Sequence, residues 1–439
     1  MTNTLLRSPF WFYLRENRDF RIVLLVPESK LKEYLLEFGA GDIIIESMPM
    51  IPLSFFERVT FFLARNVLKT GMIKFVHARE YYETKKMSLF IVKRILWFLW
   101  GRSRMLQKFV RYIELFFKPH PVVGSLFDRY GPSLVFSTIA NYVHMDVPIL
   151  REAKRRGVKT VGMFRGWDTF VSHGFLRIVS DLVLLQNKYL QDTGRVYQFL
   201  PAGIIRVVGF PQYDCHFRKD LIEPREDFFK KLGLDPGKRL ILFGAMEYYW
   251  YDGDGEIAEV FNEIVESGKL PRDLIMLFRP YPGYVGPLER VKNLKYVLPD
   301  MEAFSLRQAG FLEFRDRHIA HLLNSIYHSE IVVSVASTIA IDGVALGKPA
   351  VSVAFEKDER SYWFSIKRFQ EECTHFRDAI KTGGIRRVDT PEEFVGVVNS
   401  YLADPSYDAD KRKTLKELFL EPYDGRAGER LAKIIRELL

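Results

Sequence analysis

Short apolar runs alternate with amphipathic stretches along most of the chain. The runs predict two series of buried β-strands, the first at 21–27, 42–46, 133–137, 158–164, 181–186 and 204–208 and the second at 239–244, 274–279, 331–335 and 350–355. The stretches between them have the spacing of helices. Strands that alternate with helices form parallel sheets covered on both faces. The pattern predicts an α/β fold with two Rossmann-like, doubly wound domains that face a cleft.

A charged segment at 218–238, which carries two prolines, separates the two series. A chain of 439 residues is also too long for a single hydrophobic core. We predict a first domain over residues 1–217 and a second over residues 218–420. The remaining residues, 421–439, predict a C-terminal helix that packs back on the first domain.

Residues 330–354 contain one complete strand–helix–strand unit. Ser337 is the expected N-cap of its helix. Hydroxyls and backbone N–H groups at Ser334, Ser337 and Thr338 would lie where the helix dipole favours an anion. Asp342, one turn further on, could accept hydrogen bonds from a ribose. An ordinary unit of this kind with a serine cap has the same pattern, so the segment alone leaves both interpretations open.

Further polar residues of the second domain follow predicted strands. Gly244 and Glu247 come at the end of the strand at 239–244, and Arg279 ends the strand at 274–279. The carboxyl ends of parallel strands meet at one edge of a sheet, where ligands bind. Arg279 could pair with a phosphate through two hydrogen bonds, or it could form a surface ion pair. Together with the serine-rich turn, these residues predict a nucleotide site with a phosphate clamp and a ribose anchor.

In the first domain, polar and aromatic residues beside predicted strands form a candidate acceptor side, namely His144, Arg165, Trp167, Asp168 and His173. Asp168 is the preferred general base for an acceptor hydroxyl, and His173 is the second choice. Either residue could instead cap its own loop, because an aspartate in a turn often bonds to its own backbone.

Several common site motifs are missing from the sequence. It has no P-loop, G-x-G-x-x-G, H-E-x-x-H or G-x-S-x-G motif, so nothing favours a kinase, dehydrogenase, zinc protease or esterase. Cys215 and Cys373 lie far apart without metal-ligand spacing, and no secretory signal is evident. We expect a cytoplasmic protein with no metal site and no cofactor, its nucleotide-sugar being a substrate.

The charge is unevenly distributed. Residues 1–210 hold 31 Lys and Arg against 17 Asp and Glu, whereas the remainder holds 33 against 38. A basic half predicts an anionic partner, and no zinc finger, helix-turn-helix or RNA-binding signature favours nucleic acid. Residues 88–118 combine an apolar run too short to span a membrane with a second helical repeat.

In that second repeat, Leu106, Phe109 and Ile113 define one face, and Arg104, Lys108 and Arg111 define a basic stripe on another. A helix with these two faces is typical of a membrane interface. We predict that residues 88–118 attach the protein peripherally to the inner face of the cell membrane. A core helix flanked by solvated arginines is the alternative.

Several stretches resemble one group of enzymes. Trp167-Asp168 is followed by DLVLLQNKYLQD and RVVGFPQYD, then by SVASTIAIDGVALGKPAVSVA, and finally by Asp424-Gly-Arg-Ala-Gly-Glu429. These stretches are similar to the two-domain GT-B sugar-nucleotide transferases of surface polysaccharide synthesis. They are also similar to the relatives of those enzymes, the CDP-glycerol glycerophosphotransferases and the non-hydrolysing UDP-N-acetylglucosamine 2-epimerases. The resemblance covers residues 131–214 and 239–439.

The resemblance implies that Ser337, Thr338 and Asp342 bind the phosphate and ribose of a donor, and that the loop at Asp168 faces an acceptor. It also implies a reaction without a metal ion. The glycerophosphotransferases carry His-Gly-Thr where this chain has Gly166-Trp-Asp-Thr169, which argues against glycerophosphate transfer.

We therefore expect a glycosyltransferase that moves a sugar from a nucleotide-sugar to a lipid-linked or polysaccharide acceptor in cell-surface glycan synthesis. One alternative is another enzyme class, a UDP-sugar 2-epimerase or a CDP-glycerol-type glycerophosphotransferase. The other is a non-catalytic module that binds nucleotide-sugar or polysaccharide in an assembly complex.

Overall fold

The computed structural model describes residues 5–16, 20–39, 41, 43–138, 145–164, 166–281, 286–304, 307–308, 311–312, 316–358 and 360–439. The chain divides into two compact units. Unit 1 comprises residues 1–212 and 422–439, and unit 2 comprises residues 213–421.

The helices and strands up to residue 212 are, in chain order, α1 (Pro9–Arg15), β1 (Ile22–Pro27), α2 (Leu31–Phe38), β2 (Ile43–Met48), α3 (Phe55–Asn66), α4 (Gly71–Thr84), α5 (Met87–Trp100), α6 (Arg104–Glu114), α7 (Pro121–Tyr130), β3 (Leu134–Ser137), α8 (Asp146–Arg155), β4 (Lys159–Met163), α9 (Thr169–Ser172), β5 (Leu182–Leu185), α10 (Lys188–Tyr197) and β6 (Ile205–Val207).

Unit 2 then contains α11 (Arg225–Lys231), β7 (Arg239–Gly244), α12 (Asp254–Glu266), β8 (Leu274–Arg279), α13 (Leu288–Val291), β9 (Val297–Pro299), α14 (Met301–Phe304), β10 (Arg307–Gln308), β11 (Phe311–Leu312), α15 (Asp316–Tyr327), β12 (Ser329–Ser334), α16 (Ile339–Ala345), β13 (Ala350–Val353), α17 (Ile366–Glu372), α18 (Thr374–Lys381), β14 (Arg386–Val388), α19 (Pro391–Ala403) and α20 (Ala409–Phe419). The last helix, α21 (Ala427–Leu438), belongs to unit 1.

The main sheet of unit 1 is parallel, with the described strands in the order β3-β4-β5-β6, and β1 pairs with β2 separately. Successive residues of β5 face opposite sides, because Val183 and Leu185 join one apolar cluster and Leu184 joins the other. Helices α8 and α10 cover the first side. Helices α1 and α21 pack together and cover the second. Both faces are therefore covered, as in a doubly wound domain.

A helical segment, α3 to α6, is inserted between β2 and β3 of unit 1. Its interior contains an ion network centred on Glu114, whose side chain is fully buried. Arg151 and Arg177 each donate to Glu114 at 2.7 Å, and Arg151 donates also to Glu57 at 2.7 Å. Thr60 completes the set with a hydroxyl 2.5 Å from Glu114. Charged groups thus occupy part of the space beneath α3 and α6, beside an apolar cluster that includes Ala64 of α3 and Val110 of α6.

Unit 2 contains a parallel sheet whose described strands have the order β14-β13-β12-β7-β8-β9. The order runs outward from β7 through β8 and β9 in one direction, and from β12 through β13 and β14 in the other. The boundary between β7 and β12 is therefore the topological switch point, the place where open α/β sheets bind ligands.

Several elements escaped the sequence pattern, among them two strands and a long helix. The strands β9 and β14 were not predicted, because three residues are too few for a periodic signal. Helix α4 was missed because its apolar residues do not repeat with helical spacing. The N-cap prediction was wrong by one residue, since Thr338 and not Ser337 precedes α16, and the Thr338 side chain makes no cap hydrogen bond.

Candidate functional site

Three of the predicted donor residues form one row across unit 2. Ser334 of β12 is the register partner of Gly244 in β7, and Gly244 is the register partner of Arg279 in β8. All three residues are the last of their strands, so their side chains and backbone groups meet at the carboxyl edge of the sheet. The row crosses the switch point between β7 and β12.

A glycine is required at position 244 because a side chain would have no room, and not because of its backbone angles. A Cβ atom at this position would lie 2.3 Å from Cγ2 of Ile339, the first residue of α16. The missing side chain lets the start of α16 pack directly on the end of β7. Ser337 and Thr338 come just before this helix. The first is half-buried and the second is exposed.

Asp342 lies one turn into α16 and accepts a hydrogen bond from the Tyr213 hydroxyl at 2.5 Å. Burial raises the pKa of Asp342 to about 6, while the Tyr213 hydrogen bond and the positive charge of Arg279 oppose this rise. The Tyr213 ring stacks on His216, with 4.8 Å between ring centroids. Tyr213 was not predicted as a site residue, although it lies in the RVVGFPQYD stretch.

Arg279 is buried and forms part of a second network. It donates to Asp300 at 2.7 Å, and His321 lies 2.8 Å from the other carboxylate oxygen. Burial works against ionisation of Asp300, but the His321 hydrogen bond and the Arg279 charge prevail and hold its pKa below the ordinary value. Asp300 and His321 were missed in the sequence, because nothing in the chain signals that they lie next to Arg279.

Ser334 and Glu247 complete the predicted donor set. The Ser334 side chain is fully buried, and its hydroxyl has no hydrogen-bond partner among the described residues. A buried hydroxyl without a partner is uncommon and costs free energy. Glu247 is exposed beyond the end of β7. The row therefore offers one unsatisfied hydroxyl at the switch point and one carboxylate at the rim.

In unit 1 the two candidate bases lie close together. Asp168 precedes the short helix α9 and His173 follows it, and 3.8 Å separates Oδ2 of Asp168 from Nε2 of His173. The Asp168 side chain is about one-third exposed, and that of His173 is more exposed. The Thr169 hydroxyl donates to the Gly166 carbonyl at 2.9 Å, which tightens the loop before them. A carboxylate and an imidazole at the carboxyl end of β4 thus share one accessible loop.

The other acceptor-side predictions have different placements. Trp167 is buried and its ring lies 6.3 Å from that of Tyr189, so it anchors the loop from inside. His144 and Arg165 lie outside the described residues. Sequence reasoning also overlooked Asp146, at the start of α8, which accepts a hydrogen bond from Ser137 at 2.5 Å. Burial raises the pKa of Asp146 to about 6.

Across the described ranges, no group of three or more His, Cys, Asp or Glu side chains is placed to hold a metal ion. In the same ranges, no helix has the length and hydrophobicity that a membrane span requires.

No protein-family model matches the sequence. The lipid-A-disaccharide synthase of Geobacter metallireducens is 23% identical over 343 residues, which cover 75% of this chain and 81% of the relative. The UDP-GlcNAc 2-epimerase of Neisseria meningitidis, solved with bound UDP-GlcNAc, aligns over 100% of this chain and 96% of its own, with a TM-score of 0.53 and 11% identity. A Listeria monocytogenes protein provisionally assigned as a UDP-N-acetylglucosamine 2-epimerase aligns over 99% and 93%, with a TM-score of 0.52 and 13% identity.

The chain has the GT-B fold. The α/β prediction with two Rossmann-like domains is confirmed, and so is the resemblance to the epimerases at the level of the fold. Both solved structures are under 25% identical, so this likeness concerns the path of the chain and not its chemistry.

Proposed function

We propose that the protein is a glycosyltransferase that transfers a sugar from a nucleotide-sugar to a lipid-linked or polysaccharide acceptor in cell-surface glycan synthesis. The observation that carries the proposal is the row of Ser334, Gly244 and Arg279 across the switch point of unit 2. The likeness to a synthase of a lipid-linked disaccharide supports transfer to a lipid acceptor.

We assign the nucleoside diphosphate of the donor to unit 2. The proposal assigns the phosphates to Ser334, Ser337 and Thr338, and a ribose hydroxyl to Asp342. In this assignment Arg279, whose charge is partly balanced by Asp300, stabilises the leaving diphosphate, which is the part that a metal ion plays in other transferases. Positive charge fixed in a buried site stabilises a developing anion more strongly than the same charge in water.

Unit 1 has the groups that an acceptor needs. In the proposed reaction, Asp168 takes the proton of the acceptor hydroxyl as its oxygen attacks the anomeric carbon of the sugar. The bond from that carbon to the diphosphate oxygen breaks, and the nucleoside diphosphate leaves with the electron pair. His173, 3.8 Å from Asp168, either orients the carboxylate or takes its place as base.

A UDP-sugar 2-epimerase is the second candidate, favoured by the alignment of the whole chain with an epimerase bound to UDP-GlcNAc. An epimerase acts on free UDP-sugar and needs no acceptor. Incubation with nucleotide-sugar alone separates the two, because an epimerase interconverts the sugar while a transferase leaves it unchanged until an acceptor is added. A binding module would do neither.

The donor site is tested by thermal shift with UDP, GDP, CMP, CDP and dTDP. A ligand at about 100 times its dissociation constant stabilises the protein by roughly 2.7 kcal/mol. We expect one nucleotide to stand out, and Asp342→Ala to weaken its binding by about tenfold or more, because a hydrogen bond to a charged group contributes about 1.5–3 kcal/mol.

The matched control is Asp273→Ala. Asp273 pairs with Arg239 at 2.8 and 2.9 Å, at the amino edge of the same sheet. Asp273→Ala is expected to bind nucleotide normally. Equal binding by both variants and the wild type would place the nucleotide elsewhere, and no stabilisation by any nucleotide would contradict the donor site itself.

The affinity for nucleotide-sugar is expected to fall on acidification. Because the pKa of Asp342 is about 6, its carboxyl group is mostly protonated at pH 5, and the neutral form accepts a hydrogen bond from a ribose hydroxyl more weakly than the carboxylate does. We expect about tenfold weaker binding at pH 5 than at pH 7.5 by calorimetry, since each pH unit below the pKa removes tenfold of the ionised form. A nucleotide-sugar is the ligand of choice because its diphosphate does not titrate in this range.

Tyr213→Phe sharpens this test. The Tyr213 hydroxyl stabilises the ionised Asp342, so its removal raises the carboxyl pKa and should move the loss of affinity to higher pH. The free energy of unfolding should respond to pH in the opposite sense to the affinity. A buried carboxyl with a raised pKa binds its proton more tightly in the folded state, so its contribution to stability grows as the pH falls from 6 towards 4. A pH-independent affinity would contradict the role of Asp342.

A further inference from the structure

The helical segment of unit 1 exposes many large apolar side chains and buries several charged and polar ones. In α6, Gln107 and Glu114 are buried beside Val110, while Met105, Phe109 and Tyr112 are 82%, 60% and 62% exposed. The buried residues satisfy polar partners, since Gln107 donates to the Tyr197 carbonyl at 2.9 Å and Glu114 belongs to the ion network. A surface helix normally presents the opposite arrangement, with its apolar stripe towards the core.

Helix α5 also exposes large apolar side chains, although its Leu96 and Trp97 pack against the apolar cluster of the segment. All its residues are described, and its one buried side chain is Lys93, which forms an ion pair with Glu80. Large apolar side chains occupy the outside, including Ile95, Phe98 and Leu99 at 51%, 67% and 64% exposure. The start of α3 continues the pattern, because Glu57 is buried and the phenylalanines before it are exposed.

We call these outward side chains the apolar surface, and it consists of Phe55, Phe56, Ile91, Val92, Ile95, Phe98, Leu99, Trp100, Met105, Phe109, Tyr112, Leu115 and Phe116. Single exposed apolar residues are ordinary, but a group of this size on one inserted segment indicates a surface that is covered in function.

Most charged residues of the segment that carries the apolar surface are positive. Residues 51–120 hold 14 lysines and arginines against 4 glutamates. Between Lys85 and Lys118 the one carboxylate is Glu114, and it is fully buried. The exposed basic side chains of this stretch are Lys85, Lys86, Arg102, Arg104, Lys108 and Lys118. The solvent-facing side of this stretch is therefore apolar and cationic, with no exposed carboxylate.

Arg111 is not part of this cationic set. Its guanidinium points inward and donates to the carbonyls of Leu176 and Gln198, each at 2.9 Å, and burial lowers its pKa to about 10. The predicted stripe of Arg104, Lys108 and Arg111 was wrong in this respect. The exposed side of α6 instead carries Arg104 and Lys108 together with the aromatic residues.

We propose that the apolar surface docks on an anionic lipid bilayer, with its aromatic and aliphatic side chains among the acyl chains and its basic side chains on the headgroups. Charge complementarity favours an anionic bilayer over a second copy of the chain. A second copy in a two-fold contact would set cations against cations, and protein interfaces are depleted in lysine. Aromatic and aliphatic residues flanked by lysine and arginine are instead the composition of helices that lie in a membrane interface.

The segment is tied to the loop that carries Asp168. The Thr70 hydroxyl donates to the Val171 carbonyl at 2.7 Å, and the Phe175 N–H donates to the Ala64 carbonyl at 2.9 Å. Docking would therefore hold this loop near the lipid headgroups, where a lipid-linked acceptor is found. The docking itself goes beyond the proposed function and requires no transfer activity, so the two can fail separately.

The test is flotation of the full chain with vesicles of phosphatidylcholine alone and of phosphatidylcholine mixed with phosphatidylglycerol. We expect binding to the mixed vesicles, weakened by salt because headgroup charges are screened. The variant Arg102→Glu/Arg104→Glu/Lys108→Glu should bind at least about 100-fold more weakly, as each basic residue near the surface contributes about fivefold. The variant Ile95→Ser/Phe98→Ser/Leu99→Ser should lose binding even at low salt.

The control variant is Arg195→Glu/Val196→Ser, which changes one exposed cation and one exposed apolar residue on α10. It should bind as the wild type does. Tryptophan fluorescence gives a readout that needs no destabilising change, because brominated acyl chains should quench the wild type and quench Trp100→Phe less.

Three results would overturn the proposal. The first is a wild type that does not float with the mixed vesicles at low salt. The second is binding that neither triple variant weakens. The third is a wild-type dimer in light scattering that the serine variant converts to monomer without any vesicle binding, which would assign the surface to a second copy.

Discussion

Asp168→Asn is expected to reduce the rate of sugar transfer by about 10²–10⁴-fold, or roughly 3–5 kcal/mol of barrier. Asparagine keeps the shape of the side chain and removes its basicity, so an acceptor hydroxyl loses its proton acceptor. Nucleotide binding should stay unchanged, because the donor residues belong to unit 2. The measurement is turnover with saturating donor, together with the nucleotide affinity of the same variant.

The neighbouring histidine decides how the result is interpreted. The separation of 3.8 Å between Asp168 and His173 is longer than a hydrogen bond, and such contacts often shorten only when substrate is bound. If His173→Ala is inactive and Asp168→Asn is nearly normal, the base is the histidine. The control is Asp192→Asn, an exposed aspartate on α10. Normal transfer by both loop variants would make the loop structural and remove the acceptor assignment.

Glu114→Gln is expected to cost unit 1 about 3–5 kcal/mol of unfolding free energy, because removal of one partner from a buried ion pair leaves the other charges uncompensated. Arg151 would keep Glu57 as a partner, whereas Arg177 would lose the carboxylate that it contacts. Burial already lowers the pKa of the Arg177 guanidinium, and Glu114 is the main counter-influence. Unit 1 should therefore melt roughly 10 °C lower, at about 2–4 °C per kcal/mol for its size.

The matched control is Glu417→Gln on α20. Glu417 is 61% exposed and lies 4.0 Å from Lys413, so its loss should change stability by less than about 0.5 kcal/mol. Chemical denaturation of the two variants gives the comparison. A loss below about 1 kcal/mol for Glu114→Gln would mean that water or structural relaxation compensates the two arginines.

The ion network also explains why the inserted helices expose apolar residues. Glu57 on α3 and Glu114 on α6 direct the polar sides of both helices inward, towards Arg151 and Arg177. Each helix then leaves many of its large apolar side chains on the outside, although Ala64 and Val110 are buried. An apolar interior of the same volume would often be at least as stable, so stability alone does not account for the buried charges. The arrangement instead favours a function for the apolar side chains on the outside.

The strand–helix–strand unit around Ser334 followed from the sequence alone. The strand predicted at 331–335 occupies 329–334, and the strand predicted at 350–355 occupies 350–353. A strand that is apolar at successive positions is stable only when both of its faces are covered. The local sequence therefore shows where such buried strands lie. The parallel order of the sheet then places Ser334, Gly244 and Arg279 at one edge, whatever the details of the loops.

The partners of these residues came only from the tertiary structure. Tyr213 reaches Asp342 across 129 positions of the chain, and Asp300 reaches Arg279 across 21. The spacing of apolar residues along the chain does not predict such pairs, because they depend on which elements become neighbours in the fold. The same holds for α6, whose sequence defines an apolar side and a polar side without stating which is inside. Glu114 and Arg111 turn inward because Arg151, Arg177 and the carbonyls of Leu176 and Gln198 are there to receive them, and a buried charge is stable only where its partners already lie.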